Sequence, residues 1–166
     1  MANTLKLVLL AVAFATTLAA CGKKEEEKAV AAAPVVVALP TNASDNQAWK
    51  AYIMSVVKQN MAGIRTSPYT YYLPDATASD FEDQYDRQLD NVTGVVGRGV
   101  LPGNMLAFGS PDSTRMANLV VEAFTGISPG SMKDVRVLFV GAAADAERVR
   151  AVVEPSGATF IFHEAK

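Results

Sequence analysis

The sequence predicts a small three-layer α/β domain with a mostly parallel sheet of about four strands, helices on both faces, and a helix ahead of the first strand. Three observations carry this. Short apolar runs alternate with helix-period segments along the second half of the chain. Two of those runs end in glycine, at Gly109 and Gly141, and the segments that follow them repeat at an offset of 32 residues. A strand–helix unit of that size matches a βαβ crossover, and near-continuous apolar strands belong to parallel sheets covered on both faces.

The elements follow in chain order. Ser44 with Gln47 forms a capping box that opens a helix to about Met61, with Trp49, Ile53, Val56, Val57 and Asn60 near one face. The stretch GIRTSP stops it. YTYYL (69–73) is aromatic and β-prone and reads as a strand. Ser79 with Glu82 forms a second capping box. Phe81, Tyr85, Leu89, Val92 and Val96 then recur at helical spacing until Gly97 and Gly99. NMLAFG (104–109) is the next strand, followed by a helix over 111–124 carrying Met116, Leu119, Val120, Ala123 and Phe124. VRVLFVG (135–141) is a third strand, and the helix over 143–154 ends at Pro155 and Gly157. ATFIFHE (158–164) is the last. In the repeat, FGSPDSTRMANLVVEA aligns with VGAAADAERVRAVVEP, matching Gly109 with Gly141 and Val-Val-Glu at 120–122 with 152–154. Two such units are too few for a solenoid.

The 166 residues allow one domain plus appendages, and residues 42–166 are enough for one core. A formal net charge of −2 provides no basic field for nucleic acid. One cysteine and one histidine leave no intrachain disulfide, no multi-thiolate zinc site and no transition-metal cluster, and no cofactor motif is present.

The first 20 residues hold one charge, Lys6, then an apolar run from Leu7 to Phe14 and small residues to Ala20. This is the layout of a secretory signal, and the run is too short to span a bilayer. Leu18-Ala19-Ala20-Cys21 resembles the lipobox of bacterial lipoproteins. That resemblance implies diacylglyceryl attachment at Cys21, cleavage just before it, and an outer-membrane anchor facing the periplasm, because Gly22 is not the Asp that retains such proteins at the inner membrane. Several acyl chains together make a stable anchor. The expected organisation is therefore a cleaved signal over 1–20, a lipidated cysteine and solvated tether over 21–41, and an α/β domain over 42–166. The tether has a reach of roughly 25 Å as a random coil.

In open parallel sheets, ligands sit beyond the C-terminal strand ends. That edge is expected to carry Asp75, Ser110, Asp112, Ser113, Asp145 and His163. Ser110, Asp145 and His163 occur in the nucleophile–acid–base order of α/β-hydrolases, and His163 is the sole imidazole. G-x-S-x-G is missing, however, and Pro111 removes an oxyanion-hole N–H. Ser110 as N-cap, Pro111 at N1 and Asp112 in the first turn explain the same residues structurally. The two strand–Gly–helix turns offer N–H groups to an anion, but Asp112 and Asp145 oppose one and neither loop holds a lysine. Tyr69, Tyr71 and Tyr72 are candidate interface residues, since tyrosine is enriched where proteins meet.

Three function classes remain: a non-enzymatic protein-binding module on the membrane (an inhibitor or immunity protein against a cell-envelope toxin, or an accessory subunit of an envelope complex), a small-anion binder at the sheet edge, and a Ser/His hydrolase. The lack of a convincing catalytic constellation favours the first, with a periplasmic protein as partner.

Overall fold

A computed structural model describes residues 37–166; Cys21, the expected signal and the expected tether up to residue 36 lie outside the described residues. The elements are α1 (Asn46–Gln59), β1 (Tyr69–Tyr72), α2 (Phe81–Arg98), β2 (Met105–Gly109), α3 (Ser113–Phe124), β3 (Arg136–Gly141), α4 (Ala143–Val153), a short 3-10 turn (Glu154–Ser156) and β4 (Thr159–Glu164). The four strands form one sheet in the order β1-β2-β3-β4, and every neighbouring pair is parallel. This is the α/β architecture expected from the alternation, with helices on both faces.

Each crossover advances by one strand, so crossovers of a single hand place their helices on one face. The packing shows this. Phe81, Tyr85, Val92 and Val96 of α2 share one buried cluster with Met116, Leu119 and Val120 of α3 and Val149 and Val153 of α4, together with Tyr71, Leu106, Phe108, Val137 and Phe139 of the sheet. The alternate strand residues Met105, Ala107, Leu138 and Val140 point to the other face. They pack on Trp49, Tyr52, Ile53, Val56 and Val57 of α1. Three helices therefore cover one face and one helix covers the other.

Several boundaries differ from the sequence expectation, for local chemical reasons. Asp45, not Ser44, caps α1: its carboxylate accepts the Ala48 N–H at 3.0 Å. The Ser44 hydroxyl is engaged elsewhere, donating to Asp75 at 3.0 Å. Asp112, not Ser110, caps α3 by accepting the Arg115 N–H at 3.0 Å, so the helix starts at Ser113 and Pro111 lies before it. Asp80 rather than Ser79 precedes α2 and makes no side-chain cap. The helix runs through Gly97, and Gly99 ends it with φ +88°. Before α1, Leu39 packs against the α1-face cluster, so the contact with the domain begins inside the stretch expected to be tether.

Gly109 and Gly141 end β2 and β3 because the space beside each is taken. A Cβ on Gly109 would lie 2.7 Å from the Cδ1 of Ile53; one on Gly141 would lie 2.5 Å from the Ser113 hydroxyl and 2.8 Å from the Phe139 ring. Gly109→Ala is expected to lower stability by about 1–3 kcal/mol through overpacking against α1. Urea unfolding of Gly109→Ala, Ile53→Ala and the double variant checks the cause: the double variant should cost less than the sum of the singles.

Candidate functional site

The C-terminal strand edge has no reversal of strand order. A crevice opens in such sheets where adjacent connections leave to opposite faces. Here all three leave to the same face, and the βα turns pack against each other.

The residues expected at that edge are held in structural hydrogen bonds. Ser110 is buried; its hydroxyl accepts the Asp112 N–H at 3.0 Å and reaches the Pro74 carbonyl at 3.5 Å. The Ser113 hydroxyl donates to Asp145 at 2.6 Å and accepts the Ala142 N–H at 2.7 Å, joining the two turns. Asp145 also receives Thr114 at 3.3 Å and the Arg148 guanidinium at 3.0 and 2.7 Å. Arg148 goes on to the Thr114 carbonyl at 2.9 Å and to Asn118. Burial works to raise the Asp145 carboxyl, but the hydrogen bonds from Ser113 and Arg148 and the Arg148 charge outweigh it and hold the group below the ordinary carboxylate range. Asp75 is likewise lowered, by the Thr77 N–H and the Ser44 hydroxyl.

His163 lies on the α1 face of β4, opposite Val140, and its Nε2 pairs with the Tyr52 hydroxyl at 3.1 Å. Burial pushes its pKa down. Ser110, Asp145 and His163 make no hydrogen bond with one another; each has other partners. Among the described residues, no three His, Cys, Asp or Glu side chains gather as a metal site.

The three tyrosines separate. Tyr71 is buried and stacks on Phe108 at 5.1 Å, its pKa pushed up to about 12 mainly by burial. Tyr72 is half-buried on the α1 face, donates to Asn46 at 2.7 Å and carries the Lys50 ammonium 5.1 Å above its ring. Burial, with the Asp75 and Asp45 charges, lifts its pKa to about 12. Tyr69 is 47% exposed.

The open surface lies along β1. This strand is an edge of the sheet, and two helices overhang it. Lys50, Ile53 and Met54 of α1 and Gln84 and Gln88 of α2 line a cleft of about 390 Å³ with Thr70 and Tyr72 at its floor. Past the other end of the strand, Tyr69, Val95, Leu101 and Asn104 line a second, wider depression of about 680 Å³. Gln84, Gln88 and Val95 lie on one stripe of α2, which runs back along the strand. Met54 (39% exposed), Tyr69 and Leu101 (77%) are three of the four large apolar side chains that are exposed among the described residues. Sequence reasoning selected the tyrosines but missed Lys50, Met54, Gln84, Gln88 and Leu101. Nothing local marks them; they converge only because the strand order leaves β1 without an outer neighbour.

No family model, curated protein or solved structure matches the chain.

Two measurements follow from these contacts. Asp145→Ala is expected to cost about 1–3 kcal/mol in urea unfolding, because it leaves the Ser113 hydroxyl without its acceptor and removes the ion pair with Arg148; the figure is held down by the partial exposure of Arg148 (37%) and by its remaining bonds to Thr114 and Asn118. His163 is the only histidine, and its pKa is lower folded than unfolded. The native state therefore binds fewer protons than the unfolded chain. Stability is complete above the ordinary value near 6.5 and falls as pH drops through and below it. Melting temperature followed from pH 7.5 to 5 should show that decline, and His163→Gln, which can still pair with Tyr52, should flatten it.

Proposed function

We propose that this chain is a membrane-anchored periplasmic lipoprotein acting as a non-enzymatic protein-binding module, its anchor at Cys21 and its binding face along β1. An inhibitor or immunity protein against a cell-envelope toxin, or an accessory subunit of an envelope complex, fits this description. The anchor rests on the Leu18-Ala19-Ala20-Cys21 resemblance. The observation that carries the binding role is the gathering of Met54, Tyr69 and Leu101 around an open sheet edge. Exposed apolar groups grouped with polar neighbours are characteristic of protein contact sites. Hydrolysis has less support, since Ser110 and Asp145 are engaged in holding the turns together and His163 pairs with Tyr52; anion binding has less support, since the Asp112, Arg115 and Ala142 N–H groups already donate to Ser110, Asp112 and Ser113.

Two experiments test this. Palmitate labelling should disappear in Cys21→Ser, and labelling that persists would overturn the anchor. A photo-crosslinking amino acid placed in living cells at Leu101 or Met54 should give a discrete protein adduct, while the exposed Glu147 on α4 should give none. Ser110→Ala and His163→Ala should leave adduct formation unchanged. The absence of adducts at every position would overturn the binding role.

A further inference from the structure

We infer that the cleft over β1 accepts an extended, acidic peptide segment of the partner protein as a fifth strand of the sheet. This rests on the protein-binding reading and specifies what is bound.

The directions of the backbone groups are the first support. The Leu73 N–H donates to Gly109 of β2 at 3.4 Å, so Leu73 and, by alternation, Tyr71 and Tyr69 turn their backbone groups inward. Thr70 and Tyr72 then turn theirs outward, into the cleft. The Tyr72 carbonyl already receives a donor there, the Gln88 side-chain amide at a long 3.3 Å. That amide stands where the backbone N–H of an added strand would stand. Replacing one amide by another costs little, because the carbonyl is never left unpaired.

The edge also sets its own limits. Pro68, just before β1, shares the outward-facing alternation of Thr70 and Tyr72 and has no N–H to donate. Beyond Tyr72 the chain leaves the strand, and the Pro74 carbonyl turns back to the Ser110 hydroxyl. A proline and a strand end so placed prevent open-ended sheet growth. What remains is a window for a short segment, which is the requirement for recognition by strand addition, where main-chain bonds hold the peptide and flanking pockets select its side chains.

Charge selects the peptide. The chain carries a net −2. Yet the charged residues lining the cleft and its α2 shoulder are both cations, Lys50 and Arg87; the carboxylates of Asp45 and Asp75 act on Tyr72, whose hydroxyl meets Asn46 at the start of α1, so acidic selection falls on the positions beside Lys50 and Arg87. Side chains of an added strand alternate between the α1 wall and the α2 wall. Carboxylates on the α1 side approach Lys50, those on the α2 side approach Arg87, and an apolar residue at the far end meets Tyr69 and Leu101.

The test uses a synthetic capped peptide of alternating valine and glutamate, with a lysine-for-glutamate control, titrated into the isotope-labelled mature chain bearing Cys21→Ser. The acidic peptide should bind saturably, shift the Thr70 and Tyr72 amide signals and slow their hydrogen exchange. The lysine peptide should bind at least about fivefold more weakly. Lys50→Glu with Arg87→Glu, both on the surface, should reverse that preference; Thr70→Pro, which removes the outward donor, should abolish binding. Equal affinity for the two peptides, binding of neither, or shifts confined to the turns around Ser113 and Asp145 would overturn the assignment. If cellular adducts at Leu101 persist in any of those cases, the binding role stands and only the acidic strand fails.

Discussion

A single helix has to cover one face of a four-stranded sheet. The outer strand axes of such a sheet lie about 14 Å apart, while a helix with its side chains is about 10–12 Å across. α1 therefore seats over the centre, with Ile53 against Gly109 and its neighbours on Leu138 and Val140, and leaves a margin on each side. On the β4 margin, Ile161 and Ala165 join the cluster and the His163–Tyr52 pair closes the border. On the β1 margin nothing of the described chain fills the gap, and the cleft forms there. The position of the candidate binding face follows from this mismatch of widths together with the strand order.

The opposite face is over-provided: three helices share it, and their N-terminal turns crowd together above β2 and β3. That crowding explains why Ser110, Ser113 and Asp145 are engaged between the turns. A hydroxyl between two turns and a carboxylate under a guanidinium keep α3 and α4 at a fixed spacing. A nucleophile needs a base at hydrogen-bond distance and an open approach; Ser110 has a carbonyl neighbour and is buried. The low pKa of Asp145 is the signature of a satisfied structural ion, and strongly perturbed carboxylates occur in such networks as well as in active sites.

Much of the fold was legible in the sequence because period and punctuation agreed. The Phe81-Tyr85-Val92-Val96 stripe is the buried face of α2, and the glycines that end β2 and β3 sit where a Cβ would collide. The caps were misplaced by one or two residues. Serine and aspartate are nearly equivalent N-caps, and adjacent Ser-Asp pairs leave the choice to tertiary partners such as Asp75. The site was less legible. Ser110, Ser113 and Asp145 do lie at the C-terminal strand ends, but whether those ends form a crevice depends on strand order, which local pattern does not encode. The same order makes β1 an edge strand, so Lys50 and Gln88 carry no signal until α1 and α2 stand on either side of β1.

The Ser113–Asp145 hydrogen bond joins positions that are equivalent in the 32-residue repeat. The β2–α3 unit thus grips the β3–α4 unit in one direction, donor to acceptor, as subunits do in a head-to-tail assembly rather than a two-fold one. Contacts of that kind have no intrinsic end. Arg148 occupies the far side of the Asp145 carboxylate, and after α4 the chain passes through Pro155 and Gly157 into the final strand. At the repeat position where the first unit carries the donor Ser113, the second carries the acceptor Asp145, so a third copy stacked beyond it would need a hydroxyl that the second unit does not offer.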